Sequence, residues 1–332
     1  MKIIINGRFL TQRITGVQRY AREICAELDK LVKPNEVIMA IPPETKDIPK
    51  YKNIKVVKVG MFHNRLWEHI SFPLFVLSQK ATSLNLCNVA PLISPGIVCI
   101  HDMKIKAKPQ FFSTKFLLWY RLLLFNATKR AKKIITVSNF SKSEIIKYYG
   151  VDENKIVVAP NGWQHFARID YDEGTLKKYG VEKDTFNFAM SSLEPNKNFK
   201  WIAEQAVKNH SELYVVAGSI NEKIFSEGLG FKCPDNMKLI GYISDSEAKT
   251  LMRDCKAFLF PSIYEGFGIP PLEALSAGAK RIIVSDIPVM REVFANNVIY
   301  IDKCNLKTSD EIKKKFSWKE SALLINNMIK EI

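Results

Sequence analysis

The chain has 332 residues, of which 47% are hydrophobic and 25% charged, a mixture typical of globular proteins rather than disordered or repetitive ones. Domains usually contain ~100–200 residues, so this length predicts two of them. The six cysteines form no CxxC pair, which argues against a zinc site or a disulfide framework. The start of the chain lacks the apolar core of an export signal, and no segment is apolar enough to span a membrane, so we expect a cytoplasmic protein.

The net charge of +15 is distributed unevenly. Residues 1–165 contain 26 Lys and Arg against 11 Asp and Glu, whereas residues 166–332 contain 23 of each. A domain with such an excess of positive charge indicates an anionic partner, although the charge is also compatible with a role in solubility alone. No helix-turn-helix pattern or interleaved aromatic RNA motif is present, so we do not expect nucleic acid to be that partner.

Short apolar segments rich in β-branched residues alternate with helix-length amphipathic segments along the chain. The predicted strands are 2–6, 36–41, 54–59, 97–101, 133–138 and 156–160 in the first half, and 186–191, 213–218, 237–241, 257–261, 281–285 and 297–301 in the second. Short apolar runs are typical of parallel strands that are buried on both faces. The alternation in two blocks predicts two doubly wound α/β domains.

Helix ends are indicated by short polar signals. Ser141 precedes Glu144 by three residues, and Ser244 precedes Glu247 by three, which is the spacing of a capping box. Gly150 suits the position that follows the end of a helix.

A polar stretch that follows the last strand of the first block predicts the domain boundary. We assign an N-terminal domain to residues 1–165 and a C-terminal domain to residues 166–315. Residues 316–332 form a predicted amphipathic helix with no strand after it. This helix either closes the second domain or crosses back to the first.

Ligands bind beyond the carboxyl ends of strands in open parallel sheets, and the string EGFGIPPLEAL at 265–275 follows such a strand. Gly266 and Gly268 allow close approach of the backbone to a ligand. The two prolines preset the first turn of a helix, whose N-terminus favours a phosphate group. We expect one carboxylate of this string to contact a sugar hydroxyl and the other a ribose diol; Glu273 taken alone also fits a purely structural role.

Four further positions follow predicted strands and complete the candidate site. Lys197 lies after strand 186–191 and would reach a diphosphate as a point charge, with help from Asn196. Gly16 lies at the start of a helix, where phosphate or sugar is bound well. His101 is the last residue of the predicted strand 97–101. We expect no metal, because the DxD pattern at 170–172 lies in a polar stretch between the domains rather than after an apolar strand.

The string EGFGIPPLEAL resembles the signature of the retaining glycosyltransferases of family 4. Supporting strings occur in the same order along the chain: RITGVQRYAREI from Arg13, HD at 101–102, ITVSNFSKSEI at 135–145, SSLEPNKNF at 191–199 and VSDIPVMREV at 284–293. The resemblance implies a GT-B fold, in which two Rossmann-like domains face each other across a cleft. It also implies a nucleotide-diphosphate sugar as donor, no other cofactor, no metal requirement and retention of anomeric configuration.

The resemblance also assigns roles to individual residues. It implies that Glu265 contacts hydroxyls of the donor sugar and that His101 lies near the transferred sugar. We therefore predict His101, Lys197 and Glu265 as the catalytic residues. Together with the loop positions described above, this gives the predicted donor-binding residues: Gly16, Asn196, Lys197, Glu265, Gly266, Phe267, Gly268, Ile269 and Glu273. The sequence departs from the family at Ser192, where a basic residue is usual.

These observations predict a glycosyltransferase that extends a glycan or lipid-linked glycan, in the biosynthesis of a bacterial surface polysaccharide such as a capsule or O-antigen. A sugar-nucleotide epimerase of the same fold is the alternative. Two stretches of the basic half, 64–77 and 113–133, combine aromatic and basic residues with apolar runs. They predict peripheral docking on the anionic inner face of the cell membrane. GDP-mannose, dTDP-rhamnose and UDP-sugars all remain open as donors.

Overall fold

The computed structural model describes residues 2–190, 194–218, 233–301 and 315–332. The chain divides into two compact units, Met1–Gly162 with Phe316–Ile332, and Trp163–Lys315. The division after residue 162 lies three residues before the boundary expected from the sequence. The C-terminal helix belongs to the first unit, which is one of the two placements that the sequence left open.

The first unit contains a parallel sheet. Its strands are β1 (Ile3–Asn6), β2 (Val37–Ile41), β3 (Lys55–Lys58), β4 (Thr82–Asn85), β5 (Ile97–Cys99), β6 (Lys133–Thr136) and β7 (Ile156–Val158). They lie in the order β3-β2-β1-β4-β5-β6-β7 with parallel pairing throughout. The order reverses direction between β1 and β4, so these two strands flank the topological switch point. Apolar runs predicted each of these strands except β4.

Helices cover the sheet of the first unit. They are α1 (Gly16–Leu31), α2 (Asn64–Leu66), α3 (Phe72–Ser78), α4 (Lys104–Ala107), α5 (Thr114–Arg130) and α6 (Asn139–Tyr149). A π-helical turn, Trp67–Ser71, joins α2 to α3. The buried side chains of Trp67 and Phe72 pack against residues of β1 and β2 in the core, so this segment is anchored to the sheet through its apolar face.

The beginning of α6 corrects one prediction. The helix begins at Asn139, and the hydroxyl oxygen of Ser138 accepts a hydrogen bond from the backbone N–H of Ser141 at 3.0 Å. The capping box predicted at Ser141 and Glu144 is therefore wrong, because an extended serine three residues earlier already caps the helix. The predicted end is confirmed: Gly150 has a φ of 60°, the left-handed conformation that favours glycine.

The second unit contains a parallel sheet of the same kind. Its strands are β8 (Phe186–Met190), β9 (Leu213–Ala217), β10 (Met237–Gly241), β11 (Ala257–Phe260), β12 (Ile282–Val284) and β13 (Ile299–Tyr300). They lie in the order β10-β9-β8-β11-β12-β13 with parallel pairing. Here the order reverses between β8 and β11, which flank the second topological switch point.

The helices of the second unit are α7 (Gln164–Ala167), α8 (Thr175–Tyr179), α9 (Phe199–Lys208), α10 (Asp245–Asp254), α11 (Ile269–Ala277) and α12 (Pro288–Phe294). The capping box predicted at the start of α10 is confirmed, since Ser244 and Glu247 bond each other's backbone N–H reciprocally. The spacing of Ser244 and Glu247 thus predicted the start of this helix correctly.

The last helix, α13 (Trp318–Lys330), packs against α1 in the first unit. Trp318 is fully buried, and its ring centroid lies 5.7 Å from that of Tyr20 in an edge-on arrangement. Ser321 donates a hydrogen bond to the carbonyl oxygen of Pro160 at 2.6 Å. Truncation of a buried tryptophan to alanine typically lowers the free energy of unfolding by about 3–5 kcal/mol. The burial of Trp318 therefore makes α13 an integral part of this unit.

Candidate active site

The loops that follow β8 and β11 meet at the switch point of the second unit. Parallel sheets place the carboxyl ends of neighbouring strands at one edge, and a crevice opens where the strand order reverses. The loop after β8 ends in a 3₁₀ turn, Pro195–Lys197. The loop after β11 leads to α11 at Ile269. Two of the predicted catalytic residues, Lys197 and Glu265, therefore lie on adjacent loops.

Lys197 and Glu265 form an ion pair. The ammonium nitrogen Nζ of Lys197 lies 2.6 Å from Oε1 of Glu265, and the two side chains are 18% and 15% exposed. The same Nζ lies 5.6 Å above the ring of Phe260, the last residue of β11. Because both ends of the pair remain partly accessible, the ammonium group can bind an incoming anion and the carboxylate can accept hydrogen bonds from hydroxyl groups.

Asn196 ties the two loops together. Its side-chain Nδ2 donates to the carbonyl oxygen of Tyr264 at 3.3 Å, and its own carbonyl oxygen accepts from the N–H of Ile263 at 2.8 Å. The residue is 2% exposed. These bonds fix the backbone beside Lys197, while a direct contact of Asn196 with the donor stays a prediction.

Glycine is required where the second loop enters α11. Gly268 has a φ of 103°, and a Cβ atom added there would lie 2.6 Å from Cε of Met290. Phe267 is buried, and Ile269 begins a helix with prolines in its first turn. The structure thus contains the predicted glycine loop and helix N-terminus, whose dipole favours a phosphate group.

Glu273 is paired with a residue that the sequence analysis missed. Its Oε1 lies 2.8 Å from Nε2 of His165, and the side chains are 10% and 2% exposed. Since a carboxylate oxygen accepts, Nε2 carries the hydrogen of this bond. The pair holds the carboxylate from α7, so the predicted ribose contact of Glu273 falls to its other oxygen, Oε2. No motif around His165 indicated this role; only proximity in the fold reveals it.

Ser262 is a second polar residue of the site that sequence reasoning passed over. It follows β11 closely, is 1% exposed, and its hydroxyl oxygen has no hydrogen-bond partner among the described residues. A buried hydroxyl without a partner is uncommon and costs free energy. Ser192, the departure from the family pattern, lies outside the described residues.

His101 and Gly16 belong to the first unit. Gly16 is the exposed first residue of α1. His101 is 6% exposed, and its Nε2 lies 2.9 Å from the carbonyl oxygen of Leu86. Because a carbonyl only accepts, Nε2 is the protonated nitrogen, and Nδ1 is left as an acceptor. Burial lowers the pKa of His101, which keeps the imidazole neutral.

The DxD pattern in the second unit takes part in local contacts. Oδ1 of Asp172 accepts from the N–H of Gly174 at 3.0 Å. The cationic groups of Lys249 and Arg253 lie 4.6 and 4.2 Å from the centroid of the Tyr171 ring. Among the residues described, no group of three or more His, Cys, Asp or Glu side chains is arranged to hold a metal ion.

Comparisons with known proteins cover both halves of the chain. The family profile described as Glycosyltransferase Family 4 matches residues 14–164, and the profile described as Glycosyl transferases group 1 matches residues 174–329. The O-antigen chain mannosyltransferase RfbU of Salmonella typhimurium is 32% identical over 233 residues, which are 69% of this chain and 63% of RfbU. The chain therefore matches somewhat less than two thirds of that relative.

Solved structures show the same fold. WaaG, a glycosyltransferase involved in lipopolysaccharide biosynthesis, superposes with a TM-score of 0.66 at 14% identity, over 97% of this chain and 94% of WaaG. HepE from Anabaena, in complex with UDP and glucose, superposes with a TM-score of 0.63 at 17% identity, over 99% of this chain and 90% of HepE. With two parallel α/β sheets of this topology and both halves matched by glycosyltransferase profiles, the chain belongs to the family 4 glycosyltransferases of GT-B fold.

Proposed function

We propose that this chain transfers a sugar from a nucleotide-diphosphate donor to a glycan or lipid-linked glycan acceptor, in the biosynthesis of a bacterial surface polysaccharide. The observation that carries the proposal is the meeting of Lys197 and Glu265 at the switch point of the second unit. A cation for the diphosphate and a carboxylate for sugar hydroxyls lie side by side there, close in sequence to the N-terminus of α11.

The chemistry of the proposed reaction needs stabilisation of negative charge on the departing nucleotide diphosphate. Lys197 and the N-terminal end of α11 supply fixed positive potential for that charge, which is how preorganised sites lower a barrier. Glu265 then orients the sugar through its hydroxyls. We include in the proposal that the reaction needs no metal and proceeds with retention at the anomeric carbon.

The relatives guide the choice of donor and pathway. RfbU is described as an O-antigen chain mannosyltransferase, and the HepE structure contains UDP and glucose. We therefore propose GDP-mannose as the first donor to test and an O-antigen-type glycan as the product, with UDP-glucose and dTDP-rhamnose in parallel.

A transfer assay with purified protein tests this function. The full chain is incubated with each labelled sugar nucleotide, with and without undecaprenyl-diphosphate-linked glycans extracted from a bacterium that makes surface polysaccharide. We expect label to enter the lipid fraction and free nucleotide diphosphate to appear only when acceptor is present. Isomerised sugar nucleotide formed without acceptor would instead identify an epimerase and contradict the proposal.

We further propose that the first unit docks on an anionic membrane. Among the described residues no helix is long and apolar enough to cross a membrane. An apolar surface, with each residue at least 38% exposed, lies on residues 64–78 and on α5: Leu66, Ile70, Leu74, Leu77, Leu118, Leu122 and Phe125. The ring centroids of His69 and Trp119 are 5.6 Å apart, so the two helical segments are neighbours.

Charge supports the same docking surface. Exposed basic residues flank the apolar surface in sequence: Arg65, Lys115, Lys129 and Arg130. The whole excess of +15 lies in residues 1–165. A basic residue near an anionic bilayer contributes about 1 kcal/mol, and exposed leucines add apolar area that the interface buries.

Co-sedimentation with vesicles of varied phosphatidylglycerol content tests the docking. Substitution of Leu118 and Leu122 by serine should reduce binding to anionic vesicles, and added salt should reduce it further. Leu324→Ser is the matched control, because Leu324 is 44% exposed but lies on α13. Binding that is insensitive to lipid charge and to both leucines would contradict the docking surface.

A further inference from the structure

His101 lies just beyond the carboxyl end of β5, at the edge of a parallel sheet where ligands bind. Its backbone N–H donates to Oδ1 of Asn88 at 2.7 Å, and its carbonyl oxygen accepts from the hydroxyl of Ser141 at 3.0 Å. The imidazole donates through Nε2 to the carbonyl oxygen of Leu86 at 2.9 Å. The backbone and one ring nitrogen are therefore held, and Nδ1 is the atom that can accept a hydrogen bond from a sugar hydroxyl.

The ring of Tyr20 fixes the plane of this imidazole. A single hydrogen bond through Nε2 leaves the ring able to turn about its χ2 angle, because the torsions of such terminal rings have broad minima. The centroids of the Tyr20 and His101 rings lie 4.8 Å apart, and the ring planes are inclined by 87°. This is an edge-to-face contact, a geometry that aromatic pairs prefer. Since rotation of the imidazole would break the contact, Tyr20 sets the direction in which Nδ1 points.

Tyr20 is itself held firmly. It is fully buried on α1, and its hydroxyl donates to the carbonyl oxygen of Ala159 at 3.1 Å. Burial raises the pKa of Tyr20 well above its usual value, so the phenol stays protonated and remains a donor. The ring of Trp318 makes a second edge-on contact with Tyr20, at 5.7 Å between centroids and 71° between planes. The orientation of Tyr20 therefore depends on both its hydroxyl bond and the tryptophan.

The contact with Trp318 connects His101 to the C-terminal helix. Trp318 is the first residue of α13 and is fully buried. One turn later, Ser321 donates to the carbonyl oxygen of Pro160, the residue next to the one that binds the Tyr20 hydroxyl. The helix thus contacts both the ring of Tyr20 and the backbone segment that anchors it. His101, Tyr20 and Trp318 are linked in that order by two edge-on ring contacts.

We propose that Tyr20 and Trp318 are positioning residues for His101, through which α13 sets the orientation of the imidazole for sugar transfer. The inference rests on the proposed function and on the predicted place of His101 near the transferred sugar. An imidazole that is already oriented accepts a sugar hydroxyl without first having to be ordered, which is how a positioned group contributes to rate. Tyr20 and Trp318 are fully buried, so they act on the sugar only through His101.

NMR of the histidine side-chain nitrogens tests this orientation directly. In long-range proton–nitrogen spectra of the full chain, the His101 signals are assigned by their loss in His101→Asn. We expect wild type to show the two well-separated nitrogen shifts of a fixed Nε2–H tautomer. Tyr20→Phe keeps the ring and should keep these shifts. Tyr20→Leu and Trp318→Leu should bring the two shifts closer together, because the released imidazole exchanges between tautomers.

Leu28→Ala is the matched control. Leu28 is buried on α1 about two turns beyond Tyr20, and it lines a small cavity together with Asn326 of α13. Its truncation weakens the packing of the same two helices away from the aromatic contacts, so the His101 shifts should stay as in wild type.

Transfer kinetics with the lipid-fraction assay measure the functional effect. We expect kcat to fall about ten- to a hundredfold in Tyr20→Leu and Trp318→Leu, and to stay near the wild-type value in Tyr20→Phe and Leu28→Ala. The affinity for GDP, UDP and dTDP should not change in any of these variants, since the second unit binds the nucleotide. Tyr20→Leu decides the question by itself where Trp318→Leu does not fold.

Three results would overturn the positioning role: unchanged His101 shifts in the leucine variants, the same changes in Leu28→Ala, or a loss of kcat in Tyr20→Phe equal to that in Tyr20→Leu. Absence of transfer by wild type with every donor would count against the proposed function instead. The nitrogen shifts of His101 would still decide whether Tyr20 and Trp318 orient the imidazole, because that measurement needs no turnover.

Discussion

Replacement of Glu265 by glutamine should separate nucleotide binding from sugar transfer. The carboxylate of Glu265 lies 2.6 Å from Nζ of Lys197, so a diphosphate that binds Lys197 must compete with this carboxylate for the ammonium group. Glutamine keeps the shape of the side chain but removes its charge. Lys197 is then free to bind the diphosphate without first giving up an ionic partner.

The expected gain in nucleotide affinity follows from how exposed the ion pair of Lys197 and Glu265 is. Exposed ion pairs are worth ~0.2–1 kcal/mol, and these side chains are only 18% and 15% exposed, so the upper end applies. About 1 kcal/mol corresponds to a roughly fivefold gain in affinity for the bare nucleotide diphosphate. Transfer should fall about ten- to a hundredfold, since a hydrogen bond from a sugar hydroxyl to a charged acceptor is worth roughly 1.5–3 kcal/mol.

Titration calorimetry with GDP, UDP and dTDP measures the first effect, and the lipid-fraction assay measures the second. Glu212→Gln is the matched control: Glu212 forms an ion pair of 2.5 Å with Lys256 but directly precedes β9, at the opposite edge of the sheet. Its substitution should change neither quantity. A loss of nucleotide affinity in Glu265→Gln would refute the competition that the geometry implies.

Three further predictions concern metal, ribose and pH. Turnover should persist in excess EDTA, because Lys197 and the α11 N-terminus supply the positive charge; a loss restored by Mg²⁺ would contradict this. Glu273→Gln and His165→Gln should each weaken nucleotide binding about tenfold. The double variant should bind no more weakly than either single variant, because the two side chains act as one unit. Calorimetry on the three variants measures these affinities, and additive losses of binding free energy would contradict the prediction. Burial holds the pKa of His101 below the usual 6.5, so the folded state binds fewer protons than the unfolded one, and stability should fall as pH drops below about 6.5. Urea unfolding between about pH 5 and 8 should show a weaker dependence in His101→Asn, and an unchanged dependence would contradict the assignment.

The strands that the sequence predicted are those with apolar runs, and β4 shows the limit of that criterion. Its residues Thr82, Ser83 and Asn85 are polar yet buried. The side chain of Asn85 donates to the carbonyl oxygens of Pro95 and Ile97 at 2.9 and 3.2 Å, which removes the cost of its burial. Because β4 flanks the switch point of the first unit, the sequence analysis also did not place that switch point.

The candidate site was predicted residue by residue but not as a set of contacts. Lys197 and Glu265 are 68 positions apart, and their approach depends on β8 and β11 being neighbours in the sheet. An alternation of strands and helices does not specify that order. The pair formed by Glu273 and His165 spans 108 positions for the same reason, so the sequence assigned Glu273 a ligand without its protein partner.

The most direct test of the account is calorimetric titration of wild type and Lys197→Ala with GDP-mannose, UDP-glucose and dTDP-rhamnose. The control is Lys256→Ala, which removes a lysine that pairs with Glu212 elsewhere in the same unit. We predict that one of these sugar nucleotides binds wild type and the control equally and binds Lys197→Ala about ten- to a hundredfold more weakly. Equal affinity of wild type and Lys197→Ala for that donor, or no binding of any donor to wild type, would contradict the assignment of the donor site.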